Sequence, residues 1–291
     1  MPCLPELPTA IRLKYLTGVN RWTALHASPV ASLQQATGGD LSQSLLWRDL
    51  QSRYDVVDVA SMVFRDRFGC WGFLDLWRSA PAEPFSTAEV GFLTDIAAPV
   101  STALRGSQAS HFVVRATREH RPGPVVLLLN GDLEVRAQTP ETQDYLRMLV
   151  PPAGDYPPIP ASAYNVAGQL LANEPEVDRH PPSARVHLSD GLWVTLRAAR
   201  IGDTGTPGDR DIAVTVEETS PTERVGVFSR SFGLSAREAE LIGHLVTGSD
   251  TRELAQQMFL SEHTVQDHLK SIFTKTSTHS RPTLVSKALG T

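Results

Sequence analysis

Six polar side chains share one face of a helix-like segment near the end of the chain. Residues 261–276, SEHTVQDHLKSIFTKT, place Val265, Leu269, Ile272 and Phe273 at i, i+4, i+7 and i+8, the stripe of a helix with one buried face. The opposite face carries His263, Gln266, Asp267, Lys270, Ser271 and Thr274. Short hydrogen-bonding groups in a row, with little net charge, suit a groove of donors and acceptors better than bulk water. Base edges of double-stranded DNA offer such a groove. Lys270 can donate to guanine O6 and N7, Gln266 can pair with adenine N6 and N7, and Asp267 can accept from cytosine N4. Ser261, His263 and Thr264 stand at the helix N-terminus, where unpaired N–H groups and the helix dipole favour a phosphate. Thr251, Lys275 and Arg281 flank the helix and are expected on the DNA backbone, where contacts fix register without reading sequence. On the residues alone, the alternative is a small helical bundle whose outer face meets only water.

The elements that must position this face are legible on either side of it. Ser235-Ala-Arg-Glu238 is a capping box that opens a helix over 235–246, ended by Thr247-Gly248. Asp250 and Glu253 form a second box for a helix over 251–258, and Phe259-Leu260 makes a tight apolar turn. Ser280 caps a last helix through Leu289, with Pro282 tolerated in its first turn. Leu234, Leu241, Leu245, Leu254, Leu260, Val265, Leu269, Ile272, Leu284 and Val285 are the predicted core of the four helices. Two short helices joined by a turn of about four residues, the second longer and polar outside, match a helix-turn-helix.

The whole segment resembles the LuxR-type helix-turn-helix family. Leu234-Ser235, Arg237-Glu238, Gly248, Glu253-Leu254-Ala255, Leu260-Ser261, Thr264-Val265, His268, Lys275 and Ser280-Arg281 carry the likeness. The resemblance implies base reading by Gln266, Asp267 and Lys270. Members of the family often carry lysine where Gln266 stands and a neutral residue where Asp267 stands, and Thr276-Ser277 replaces a usual leucine-glycine. These departures lower the non-specific affinity to be expected.

The chain as a whole has 291 residues, 41% apolar and 20% charged, enough for two or three packed domains. Its net charge is −5. From Ser229 onward seven Lys and Arg face six Asp and Glu, so the acidic excess lies in front of the helical module. Two cysteines, Cys3 and Cys70, make neither a disulfide framework nor a metal cluster. No apolar run approaches the roughly 18 residues of a membrane span, and no secretory h-region opens the chain. A cytoplasmic protein with no membrane partner is the expectation. GxxxxGK[ST], HExxH and GxSxG are all missing, so no catalytic residue, metal or cofactor is predicted.

Ahead of the helical module, the polar stretch 118–124, the five-proline stretch 150–160 and the loop 180–185 divide the chain. The first part predicts helices over 9–27 and 41–53, then strands DVASMVFRD and CWGFLDLWR joined at 67–69, then a helix capped by Ser86 with Glu89 at N3. Two strands alone are marginal, so VASLQQA or a partner subunit must add to that sheet, or an N-terminal piece is missing. The hairpin followed by PFSTAEVGFLTDIA resembles the C-terminal half of a GAF domain, carried by Trp71-Gly72, Phe85-Ser86 and Glu89. The second part predicts the hairpin PVVLLLNGDLEVRAQ, a helix at TPETQDYLRML, and strands ARVHLS, LWVTLRAARI and DIAVTVEETS, with GDTGTPG as a hairpin loop. That β-β-α then β-β-β order resembles a PAS domain. Residues 219–231 are the expected connector, docked to either neighbour through Val225, Val227 and Phe228.

The fold class is thus α+β: a GAF-like sensor domain over 1–110, a PAS-like domain over 122–221, and an all-α, four-helix LuxR-type helix-turn-helix domain over 230–291. The expected function is a sequence-specific, DNA-binding transcriptional regulator, a homodimer, whose front regions sense a small-molecule effector or mediate dimerisation. Trp22, Phe64, Trp71 and Phe73 are the candidates to line an effector pocket, with core packing as their alternative role. A phosphorylation-controlled response regulator would need repeated β-α units with paired aspartates, and an enzyme with a regulatory helical domain would need a catalytic motif.

Overall fold

The computed structural model describes residues 4–113, 125–149, 160–189, 191–202 and 210–291. The predicted linker 118–124, the proline-rich stretch 150–159 and residues 203–208 of the GDTGTPG loop lie outside them. The first region contains α1 (Leu7–Leu16), β1 (Val30–Ser32), α2 (Leu33–Thr37), α3 (Leu45–Asp49), β2 (Val56–Asp66), β3 (Gly69–Ser79) and α4 (Thr87–Ser110). The predicted helix over 9–27 stops at Leu16, because Thr17 turns extended and Asn20 takes a positive φ. The one over 41–53 breaks at Ser44, whose hydroxyl accepts from Trp47 N and caps a new helix. The strand that completes the first sheet comes from VASLQQA: Val30–Ser32 pairs antiparallel with β2, giving the order β1-β2-β3. Asp58, fully buried, accepts from Ser32 Oγ and from the backbone N–H groups of Gln34, Val59 and Phe85. One carboxylate therefore ties β1, β2 and the approach to α4. Ser86 and Glu89 form the predicted capping box of α4.

The second region contains β4 (Val125–Leu129), β5 (Val135–Gln138), α5 (Thr142–Leu149), α6 (Ala161–Asn173), β6 (Ser183–Ser189), β7 (Leu192–Arg200) and β8 (Ile212–Glu218). Its five strands pair antiparallel in the order β5-β4-β8-β7-β6. Helix α6, unforeseen from sequence, buries Ala163, Tyr164, Val166, Ala167, Leu171 and Ala172 against that sheet. Helix α1 straps the two regions together. Its Ile11 and Tyr15 join the core of the second sheet, while Leu13 packs with Leu46 and Leu50 of the first region. Lys14, also buried, reaches Asp75 on β3 at 3.0 Å and Ser61 on β2 at 2.6 Å.

The expected connector is a helix, α7 (Pro221–Ser231), and this corrects the loop-like reading of 219–231. Ser220 accepts from Glu223 N and proline sits in the first turn, so the proline is part of a helix start. Phe228 is fully buried, edge-on to Phe112 at 5.2 Å and 4.6 Å from Phe232, and Phe112 stacks on Trp193 of β7 at 4.8 Å. Arg224 lies beside this cluster, 5% exposed. It donates to Ala288 O at 3.0 Å and to Gly191 O at 2.7 Å, and its guanidinium lies 5.0 Å from the Phe112 ring centre. Four helices follow: α8 (Ala236–Leu245), α9 (Thr251–Gln257), α10 (Glu262–Thr276) and α11 (Arg281–Leu289). Eight of the ten predicted core residues are buried there, and Leu260 and Val285 are partly so. Gly233, between α7 and α8, has φ +63, and a Cβ there would come within 2.9 Å of Arg105 Nη1 and 3.3 Å of the Phe68 ring. The turn between β2 and β3 thus presses on the second residue after α7.

Phe228→Ala leaves a cavity shared by three regions. It is expected to cost about 3–5 kcal/mol. Urea unfolding followed by circular dichroism checks this, and a loss below about 1 kcal/mol contradicts the central place given to Phe228.

Candidate functional site

The polar face is built on α10 by three caps and one buried carboxylate. Ser235 and Glu238 close the predicted capping box on α8, and Asp250 with Glu253 closes the second on α9. Phe259 turns the chain between α9 and α10 at φ +55 and is 94% exposed. Ser261 Oγ then accepts from Thr264 N at 3.1 Å, with the two hydroxyls 2.8 Å apart. That cap takes one of the first N–H groups of α10 and leaves those of Glu262 and His263 without an intrahelical acceptor. Val265, Leu269, Ile272 and Thr276 point into the four-helix core.

On the outer side, His263, Gln266, Asp267 and Lys270 are exposed together. Asp267 stands between two of the others, 3.2 Å from Lys270 Nζ and 3.6 Å from His263 Nε2. Ser271 leaves the row: its hydroxyl donates to Glu238 Oε1 at 2.6 Å, because position 271 faces α8. Thr274 Oγ1 donates back to Lys270 O. The three flanking residues are occupied. Lys275 Nζ lies 2.6 Å from Glu238, and Arg281 Nη2 donates to Thr251 Oγ1 at 2.6 Å, joining two residues expected separately on a DNA backbone.

Glu238 was legible as a cap residue but not as the hub it is. Its carboxylate accepts from Ser235 N, Ser271 Oγ and Lys275 Nζ while its side chain is 4% exposed. Burial pushes its pKa up. The bonds from Lys275, Ser271 and Ser235 outweigh this and hold it down at about 2.

The four aromatics expected around an effector divide. Trp71 and Phe73, on β3, wall a cavity of about 400 Å³. Trp22 stands behind, stacked on Phe73 at 5.2 Å and donating Nε1 to Asp75. Phe64 is core, packed with Val30, Ala60, Met62 and Phe85, because its position on β2 faces α4. The cavity opens between the two sheets and α7.

Comparison with known proteins bears on the last four helices. Residues 233–288 match the family described as bacterial regulatory proteins, luxR family (GerE). The "Probable HTH-type transcriptional regulator GfsR" of Streptomyces halstedii is 38% identical over 71 residues, 24% of this chain and 29% of that protein. The match therefore spans less than a third of that relative. Among solved structures, the crystal structure of the phage VqmA–DPO complex aligns over 57% of this chain and 82% of its own, at 14% identity and a TM-score of 0.21. The C-terminal helices are a luxR-family helix-turn-helix domain. Among the described residues, no helix is long and apolar enough to cross a membrane.

The folded carboxyl of Glu238 titrates below the ordinary glutamate value of 4.5. Its contribution is therefore present above about pH 4.5 and is lost as the pH falls toward 2. Glu238→Gln is expected to lower stability at pH 7 by about 2 kcal/mol and to flatten the decline between pH 5 and pH 2. Urea melts across that range check it, and parallel pH profiles for the two proteins contradict it.

Proposed function

We propose that this chain is a sequence-specific, DNA-binding transcriptional regulator acting as a homodimer, with front regions that sense a small-molecule effector. One observation carries the DNA-binding part: α10 presents Gln266, Asp267 and Lys270 on an uncovered face of a packed luxR-family domain. Gln266 and Lys270 suit adenine and guanine edges in the major groove, and Asp267 suits cytosine N4. Lys270 must leave Asp267 to do this. An exposed ion pair is worth only about 0–1 kcal/mol, so the exchange is easy. Lys275 and Arg281 act mainly by holding α10 and α11 in place, and Thr251, His263 and the first N–H groups of α10 meet phosphates.

The sensing part draws support from the front of the chain. A three-stranded antiparallel sheet covered by α4 fits the GAF-like reading, and β-β-α-α-β-β-β around a five-stranded antiparallel sheet fits the PAS-like one. Antiparallel pairing throughout both sheets does not favour a phosphoacceptor module of repeated β-α units. Pairing of two copies draws support from α4. This helix of 24 residues buries only Ala97 and Ser101 fully and leaves Phe92 63% exposed. A helix-turn-helix usually reads two symmetric half-sites, so a second copy is the natural cover.

Sequencing of genomic DNA fragments retained by the purified chain tests the reading; retention without enrichment of any sequence overturns it. On an enriched fragment, Lys270→Ala is expected to cost about 1–3 kcal/mol and to relax preference at one base pair. Asp267→Asn is expected to tighten binding to every sequence by removing a negative charge from the DNA side. Fluorescence anisotropy at fixed salt reads both, and an equal loss on all sequences for Lys270→Ala contradicts base reading. Sedimentation at micromolar concentration is expected to show a dimer that Phe92→Asp converts to monomer.

A further inference from the structure

The cavity of about 400 Å³ lies where β3, the end of α4, α6, β7 and α7 meet. Its volume falls in the range of small-molecule sites. Its wall is unusual in its polar atoms. Gln108 Oε1 on α4, Asn165 Oδ1 on α6 and Trp193 Nε1 on β7 are buried without a hydrogen-bond partner among the described residues. Trp193 is only 2% exposed. Buried polar groups in folded proteins are nearly always paired, and each orphan costs about 1–3 kcal/mol. Three orphans from three elements, all on one cavity, are what a site looks like before its ligand arrives.

The cavity wall carries two arginines, Arg185 and Arg230. Arg185 and Arg197 share Glu223, at 2.7 and 2.8 Å. Arg230, on α7, has no carboxylate within ion-pair reach among the described residues, and a Cβ on Gly69 would lie 3.5 Å from its Nη1. Desolvation, and then the charge of Arg185, push the Arg230 pKa down, as expected where positive charge is in excess. The rings of Trp71 and Phe73 line the same cavity.

We propose that this cavity binds a small organic anion with a flat apolar body, its anionic group held by Arg230 and its polar edge by Trp193 Nε1 and the amides of Gln108 and Asn165. The amides present either oxygen or nitrogen by a flip, so they meet a hydroxyl, carbonyl or amine. The site rests on the regulator reading only for its consequence. Val227 and Arg230 belong to the helix that leads into Gly233 and α8, so an anion on Arg230 acts on the element that sets the direction of the DNA-binding domain. A ligand that binds one setting better shifts the balance toward it.

The test uses the full chain and ligand-observed NMR, without DNA, on benzoate, 4-hydroxybenzoate and indole-3-acetate, each beside its neutral primary amide. At least one carboxylate is expected to bind at least tenfold more tightly than its amide. Arg230→Gln is expected to erase that preference. Asn165→Leu is expected to weaken both members of the pair while leaving thermal stability equal or higher, since it removes an unpaired buried atom. No binding by any carboxylate, or unchanged binding in both variants, overturns the proposal. A chain that binds a carboxylate in the wild type but no DNA overturns the regulator reading and supports the site; a chain that binds DNA but no carboxylate overturns the site alone.

Discussion

The arrangement of the molecule depends on one buried cation. Arg224 is held where α7, the turn before β7 and the end of α11 converge. A guanidinium taken out of water loses several kcal/mol of hydration, and only well-placed acceptors offset it. Two of its acceptors are carbonyls. Ala288 O lies in the last turn of α11, where the helix dipole is negative, and the ring face of Phe112 adds a favourable quadrupole. Gly290, at φ +75, has no room for a side chain, since a Cβ would approach Arg224 Nη2 to 2.8 Å. Nothing larger than glycine can close α11 over the arginine. Because the partners belong to three regions, the two front sheets and the C-terminal helices are packed as one structure, with Phe112, Trp193 and Phe228 in the same apolar cluster as Leu241 and Leu269.

The exposed face of α10 has a different character. Its charges are exposed and satisfied locally, Asp267 by its own helix neighbours and Lys275 by Glu238. Cations behind the face are committed to holding the helices together, and those on it are partly balanced. On the proposed reading, discrimination between sequences falls to hydrogen bonds at base edges.

Much of this was readable in the chain, for definable reasons. Capping boxes at Ser86, Ser235 and Asp250 announce helix starts within a few residues, and alternation in residues 56–79 announces a hairpin, because both signals are local. The third strand of the first sheet was one of the two sources foreseen. Helices α2, α6 and α7 escaped. Residues 161–173 do carry a helical pattern, with Ser162, Asn165, Gln169 and Asn173 on one stripe, but the prolines before them suggest a loop. Ser220-Pro221-Thr222-Glu223 does carry a helix start, though residues 219–231 read only as a connector. The cavity could not be read at all. Its walls come from residues more than a hundred positions apart, Cys70 to Arg230, and only tertiary packing brings them together. For the same reason Trp71 and Phe73 were recognisable as candidates while Phe64, of the same chemical type, turned out to be core.

The packed joint at α7 has a bearing on inheritance. Regulators built as beads on a string can exchange their DNA-binding parts by recombination anywhere in the connecting thread. A crossover between Arg224 and Phe228 of this chain would separate Phe228 from Phe112 and Trp193, and Arg224 from Ala288. The descendant would carry an unmatched cation and a split apolar cluster. Such a joint makes the two halves travel together through evolution, and substitutions on one side of it should be answered by substitutions on the other.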